Sequence, residues 1–212
     1  MANAVAQTTH LDISKLSKSF GTRRVLRQFS LSVSGGEVVA VVGPNGSGKS
    51  TLLKLVAALL RPSSGEITWA GKSEAAFRRA QCAYAAPDLM LYPELTGREN
   101  LRFFDTVAGR RRENANAYYD ALFARVGLLG RDADRVNQYS SGMRQRLRLA
   151  FALLADAPLL LLDEPSLALD SGGVEIVEQI VCEQKARNNI VLLATNDARE
   201  AAWGSRSVAM GA

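Results

Sequence analysis

The sequence predicts an α/β fold with a largely parallel central sheet. Two observations carry this. Strand-length, uniformly apolar runs occur at residues 38–42, 159–162 and 190–194, and helix-patterned stretches separate them. An unbroken apolar run of that length is what a strand shows when both faces of its sheet are covered.

The elements follow in order. Leu11 with Ile13, Val25 with Leu26, Phe29, and Leu31 with Val33 form short clusters ahead of the 38–42 run. Gly21 and the pair Gly35 and Gly36 punctuate them as turns, so this region reads as short, mostly antiparallel strands. After Ser47 the period changes. Leu52, Leu53, Leu55, Val56, Leu59 and Leu60 keep helical spacing until Pro62 and Gly65 stop it. Residues from about 73 to 148 read as mostly helical and carry much of the arginine. The 159–162 strand, a helix over 174–186 and the 190–194 strand complete the chain, and no repeat, low-complexity tract or linker divides it.

Composition excludes several classes. The chain has 212 residues, 47% hydrophobic and 22% charged, enough to bury a core without staples. Cys82 and Cys182 are too few for a disulfide framework, so a reducing cytosol is expected. No apolar run approaches the ~20 residues that span a bilayer. Residues 1–10 show neither a basic patch nor an apolar stretch, so no signal peptide is expected. The net charge of +5 permits anionic partners without requiring them, and the run Arg110, Arg111, Arg112 reads as a solvated surface segment.

The chemistry is carried first by Gly43-Pro44-Asn45-Gly46-Ser47-Gly48-Lys49-Ser50, followed by Thr51. This is the G-x-x-x-x-G-K-[ST] phosphate loop, set between an apolar strand and a leucine-rich helix. Glycines let successive amides turn inward around phosphate oxygens, and the helix adds its positive end. Lys49 then reaches the terminal phosphates and the Ser50 hydroxyl holds Mg²⁺. The second element is the 159–162 strand running into Asp163, Glu164 and Pro165. A carboxylate at the carboxyl end of such a strand suits a metal: Asp163 is expected to hold Mg²⁺, and Glu164 to polarise the water that attacks the γ-phosphate.

Between these lies Tyr139-Ser140-Ser141-Gly142-Met143-Arg144-Gln145-Arg146. It resembles the LSGGQ signature of ATP-binding-cassette (ABC) ATPases, and it precedes the strand ending in Asp163 as the family's does. Ser140 to Gly142 also read as a helix N-cap, which is compatible, because a helix N-terminus suits a γ-phosphate. With Asp170, the ordered set makes nearly the whole chain resemble an ABC nucleotide-binding domain. The resemblance implies a P-loop NTPase with a RecA-like core, an N-terminal antiparallel β subdomain and an inserted α-helical subdomain. Residues 1–72 and 151–212 would form core and β subdomain, and about 73–150 the helical insert.

The resemblance also implies ATP and Mg²⁺ as ligands and a head-to-tail dimer. In that dimer Ser140, Ser141, Gly142 and Met143 of one copy cover the ATP held by the other. Asp170 matches the aspartate that spans the seam, although the family's Ser-Ala-Leu-Asp is Leu167-Ala168-Leu169-Asp170 here. Phe20 falls where the family stacks an aromatic on adenine; packing in the core is the other reading. Two positions depart from the family. Pro87 stands where a metal-touching Gln is usual, with Asp88 either replacing it or serving as an exposed turn residue. Asn196 stands where the switch His is usual, and the only His is His10. An Asn amide donates a hydrogen bond but carries no proton. Hydrolysis is therefore expected to rest on Glu164, with Asn196 positioning the phosphate.

A single cassette must borrow its membrane-spanning part, so a separate permease subunit and the cytoplasmic face of the membrane are implied. Residues 94–104 resemble those of small exporter cassettes, including haem exporters, and are shared with multidrug, polysaccharide and lipid exporters. Haem or another small hydrophobic cargo fits. Phe103 and Phe104 read as helix core rather than a docking patch. Two alternatives stay open: a degenerate cassette that binds ATP as a regulatory switch, favoured by the missing Gln and His, and a soluble nucleic-acid-linked ATPase. A nucleic-acid partner is the less expected of the two.

Overall fold

In the computed structural model, which describes residues 9–211, β1 (His10–Phe20) and β2 (Arg23–Ser34) pair antiparallel, with Leu11 opposite Val33 and Ile13 opposite Leu31. Most of the 1–10 stretch, and with it the signal-peptide expectation, lies outside the described residues. Alternation puts Leu11, Ile13, Leu31 and Val33 on one buried face. β4 (Ser64–Trp69) pairs with the other edge of β1, giving the order β2-β1-β4.

The parallel sheet runs β5-β6-β7-β3-β8, from β3 (Val38–Val42), β5 (Cys82–Ala85), β6 (Leu159–Asp163), β7 (Ile190–Thr195) and β8 (Arg206–Ala209). Its central strands β3, β6 and β7 are apolar, save for Asp163 and Thr195 at the ends of β6 and β7, because each face meets a different core. Leu159, Leu161, Ile190, Leu192, Val39 and Val41 pack with α1 (Lys49–Val56) and the antiparallel sheet. Leu160, Leu162, Val191 and Leu193 pack on the opposite side with helices of the middle segment. That segment comprises α2 (Ala75–Ala80), α3 (Gly97–Val107), α4 (Ala115–Arg125) and α5 (Ser141–Leu154); α6 (Ser171–Ala186) and α7 (Ala198–Ala201) follow. Thr96 and Glu99 start α3 with a reciprocal capping box.

The helical insert expected over about 73–150 needs correction at both ends. It takes in β5, which is hydrogen-bonded parallel to β6 with Cys82 opposite Leu159, so that strand belongs to the sheet. At the other end residue 150 falls inside α5, whose Leu149, Ala150, Leu153 and Leu154 are buried in the core. A continuous helix has no seam there.

The arginine run is also not a uniformly solvated stripe. Arg112 donates to Asp105 at 2.6 Å and to the Leu154 carbonyl at 2.5 Å, and lies 3.9 Å from the Tyr118 ring centroid. Arg110 reaches the same carboxylate at 3.5 Å and the Tyr119 hydroxyl donates to it at 3.1 Å; Arg110 and Arg111 are exposed and Arg112 is half-buried. Asp105 is buried, and removing one member of a buried charge cluster strands the others. Asp105→Ala is therefore expected to lower the unfolding free energy by about 3–5 kcal/mol, read from urea unfolding. The two phenylalanines divide: Phe104 packs on Phe151 at 4.5 Å between centroids, whereas Phe103 is 38% exposed beside Tyr92 and is not core.

Candidate functional site

Strands β6, β7 and β3 lie side by side, with Asp163 opposite Ala194 and Val42 opposite Thr195. The loops that leave their carboxyl ends start at one level, which is where open α/β sheets bind ligands. Gly43, Glu164 and Asn196 are the first residues out of the three strands.

The loop over 43–48 carries glycine where the chain is crowded. A Cβ on Gly43 would meet the Met210 carbonyl oxygen at 2.5 Å, and Gly48, at φ +102°, would meet Val25 Cγ1 at 2.9 Å. Gly48 caps α1 with no side chain, so the first-turn amides have no side-chain acceptor and suit an anion. Lys49 is buried and folds back over the loop, donating from Nζ to the Gly43 carbonyl at 2.7 Å and the Pro44 carbonyl at 3.2 Å. An adjoining cleft of about 430 Å³ brings together Phe20, Asn45, Gly46, Gly48, Lys49, Ser50, Thr51 and Glu164. Its size fits a small-molecule ligand. Phe20 is 47% exposed at this cleft, with Lys18 Nζ 4.9 Å from its ring, so it is not a core residue.

Asp163 lies buried at the end of β6. Burial pushes its carboxyl above the usual carboxylate range, while the hydroxyls of Ser50 and Tyr84 pull the other way. Oδ2 accepts from Tyr84 at 3.3 Å, and Oδ1 is buried with no hydrogen-bond partner among the described residues. A buried, unpartnered carboxylate oxygen beside a hydroxyl fits a hard cation with oxygen ligands. No group of three or more His, Cys, Asp or Glu among the described residues could cage a metal alone. A cation here would share its shell with ligand phosphates, as Mg²⁺ does.

Glu164 sits at φ +46°, an uncommon conformation for a residue with a side chain, and its amide donates to the Ala194 carbonyl at 2.9 Å. Gln145 from α5 donates to the Pro165 carbonyl at 2.9 Å, and buried Glu200 from α7 accepts from the Ser166 amide at 3.0 Å. The loop bearing Glu164 is thus held from two helices. Asn196 donates from Nδ2 to Asn45 Oδ1 at 3.1 Å, tying the loop after β7 to the phosphate loop.

The remaining expected residues lie elsewhere. Ser140 caps α5, accepting from the Met143 amide at 3.1 Å, and Met143 packs on the core. None of Ser140, Ser141, Gly142 and Met143 lines the cleft among the described residues. A Cβ on Gly142 would lie 3.0 Å from the Ala168 carbonyl, so this turn abuts the loop before Asp170. Asp170 caps α6 through the Gly173 amide at 2.8 Å and pairs with Arg146 at 2.6 Å, contacts within its own chain. Asp88 is engaged by Lys54 at 2.5 Å, and Pro87 offers no side-chain oxygen.

Several residues of the site escaped sequence reasoning. Arg23 and Val25 line the cleft, and their place just beyond Phe20 was the only available signal. Tyr84 and Glu200 reach the site from separate elements and carry no local motif, and Gln145, although inside the signature-like stretch, holds the Pro165 carbonyl through a contact that no sequence pattern shows.

Comparisons with known proteins bear on the family and the fold. Residues 26–167 match the family profile described as ABC transporter. The uncharacterized ABC transporter ATP-binding protein YdbJ of Bacillus subtilis (strain 168) is 39% identical over 194 residues, 90% of this chain and 62% of that protein. The macrolide export ATP-binding/permease protein MacB of Rhodopseudomonas palustris (strain BisB18) is 37% identical over 191 residues, 86% of this chain and 29% of that protein. The cytochrome c biogenesis ATP-binding export protein CcmA of Paramagnetospirillum magneticum (strain ATCC 700264 / AMB-1) is 36% identical over 179 residues, 83% and 82% of the two chains. The chain therefore spans less than two thirds of YdbJ and under a third of MacB. Among solved structures, an ATP-binding subunit of an ABC transporter superposes with a TM-score of 0.84 at 31% identity, covering 95% of this chain and 86% of that one. The cassette MJ0796, dimeric in a post-hydrolysis state bound to ADP and Pi, gives 0.84 at 26% identity, covering 94% of each chain.

Proposed function

This chain belongs to the ABC transporter family, and from that premise we propose that it is the ATP-binding, ATP-hydrolysing subunit of an exporter. The observation that carries the proposal is the cleft in which the phosphate loop, Lys49, Ser50 and Glu164 converge, together with the unpartnered oxygen of Asp163, the residue before Glu164.

The roles follow from the chemistry. Amides of Gly46, Ser47, Gly48 and Lys49, with the Lys49 ammonium, grip the phosphates. Gly43, Pro44 and Asn45 shape the turn, Thr51 continues the first helical turn, and Phe20 stacks on adenine. Ser50 and Asp163 would hold Mg²⁺, whose charge offsets that of the phosphate oxygens. Glu164 takes the proton from the attacking water as its oxygen bonds to the γ-phosphorus and the bond to ADP breaks, releasing phosphate. Asn196 donates to the γ-phosphate. Ser140, Ser141, Gly142 and Met143 complete the site of a second copy or a related cassette, with Asp170 near the seam; the dimeric state of MJ0796 supports this arrangement.

No helix among the described residues is long and apolar enough to cross a membrane. The membrane-spanning part would be a separate permease subunit, with this chain at the cytoplasmic face. The CcmA and MacB resemblances favour export; haem or another small hydrophobic cargo is the reading that residues 94–104 suggest. Pro87 and Asn196 favour a second reading, a cassette that binds ATP as a switch with little turnover.

Steady-state phosphate release by the purified chain, alone and with its membrane partner, separates the two. Hydrolysis is expected, and its pH–rate profile is expected to lack a limb near ~6.5, because the side chain after β7 is an amide rather than an imidazole. No phosphate release under either condition removes the hydrolase reading; a limb abolished by substituting His10 removes the assignment of Asn196.

A further inference from the structure

We propose that Tyr84 is a positioning residue for Asp163, its phenol fixing Oδ2 so that Oδ1 faces the cation of the bound nucleotide. This rests on the proposed Mg²⁺–ATP reading and assigns part of it to a residue outside every motif.

The geometry comes from the sheet. β5 and β6 are adjacent and parallel, with Tyr84 opposite Leu161, two residues before Asp163. Along β5 the neighbouring side chains are Ala83 and Ala85, with Ala86 next, so within this strand Tyr84 carries the hydroxyl to a corner that Ser50 reaches from α1. The phenol donates to Oδ2 at 3.3 Å, leaving Oδ1 without a partner. That distance is long for a hydroxyl donor. A phenol carries its proton near neutral pH and can therefore donate it to a carboxylate oxygen.

Two nearby candidates for the same task are otherwise disposed. Pro87 has no side-chain oxygen, and the Asp88 carboxylate is taken by Lys54 at 2.5 Å. A carboxylate with one oxygen tied is limited in rotation, and the other oxygen is presented in a fixed direction. Groups that orient a metal ligand in this way typically change metal affinity by ~10–100-fold when removed.

The test uses the full chain, a fluorescent non-hydrolysable ATP analogue and MgCl₂. Tyr84→Phe keeps the ring and its packing and deletes only the hydroxyl. The Mg²⁺ concentration that half-saturates the metal-dependent gain in binding is expected to rise about tenfold. Affinity for the analogue in EDTA is expected to stay within about twofold, because the phosphate loop is untouched. Equal half-saturation in wild type and Tyr84→Phe overturns the assignment while leaving the proposed function standing. So does an equal loss of binding with and without Mg²⁺, which marks a packing role only. A wild type whose binding ignores Mg²⁺ overturns both the metal reading and this one.

Discussion

Glu164→Gln is expected to reduce steady-state phosphate release by ~10²–10³-fold while leaving ATP affinity within about twofold. Gln has the shape of Glu and keeps one carbonyl acceptor, but it cannot take the proton of the attacking water. The loop holding it does not depend on the carboxylate. The Glu164 amide bonds the Ala194 carbonyl at 2.9 Å, and Gln145 and Glu200 hold the next two residues. The backbone at φ +46° is therefore retained in the variant. The loss should appear in kcat rather than KM, since the interaction exists only as the water is deprotonated. Phosphate release within about threefold of wild type would show that another group accepts the proton.

Lys49→Ala is the second large effect, and it falls on binding. Lys49 is buried, and its ammonium lies over the loop on the Gly43 and Pro44 carbonyls at 2.7 and 3.2 Å. A hydrogen bond to a charged partner contributes ~1.5–3 kcal/mol, so its loss should weaken ATP binding by about 10–150-fold. Turnover should fall at saturating ATP as well, because negative charge on the transferring phosphoryl group loses one of the cations proposed to offset it. Titration calorimetry reads the first effect. A second readout of the same loss is the upward shift of Tm by ATP, which should shrink with the logarithm of the lost affinity. Unchanged affinity and turnover in this variant would remove the phosphate-binding role from the loop.

Much of the fold was legible in the chain because the signals are local. The uniform run at 38–42 marks a strand covered on both faces, and the leucine spacing after Ser47 marks α1. Boundaries set by packing were less legible. β5 is four residues long, two of its four residues are alanine, and only its hydrogen bonds to β6 place it in the sheet. Residue 150 gave no sign of lying inside a helix, since α5 spans the passage from the insert into the core. The arginine run and the pair Phe103 and Phe104 looked homogeneous in sequence. Asp105, Tyr118 and Phe151, which divide them, approach from other elements.

The sequence by itself determined the loop that grips phosphate, the acidic pair after β6 and the order of the motifs. Each is written in consecutive residues, because backbone amides and strand ends are properties of a short stretch of chain. Only the tertiary structure decided which side chains orient them. Tyr84 meets Asp163 across 79 residues and Asn196 meets Asn45 across 151. Such contacts depend on strand order and register, fixed when two separate cores close on the two faces of one sheet, and no local pattern encodes them.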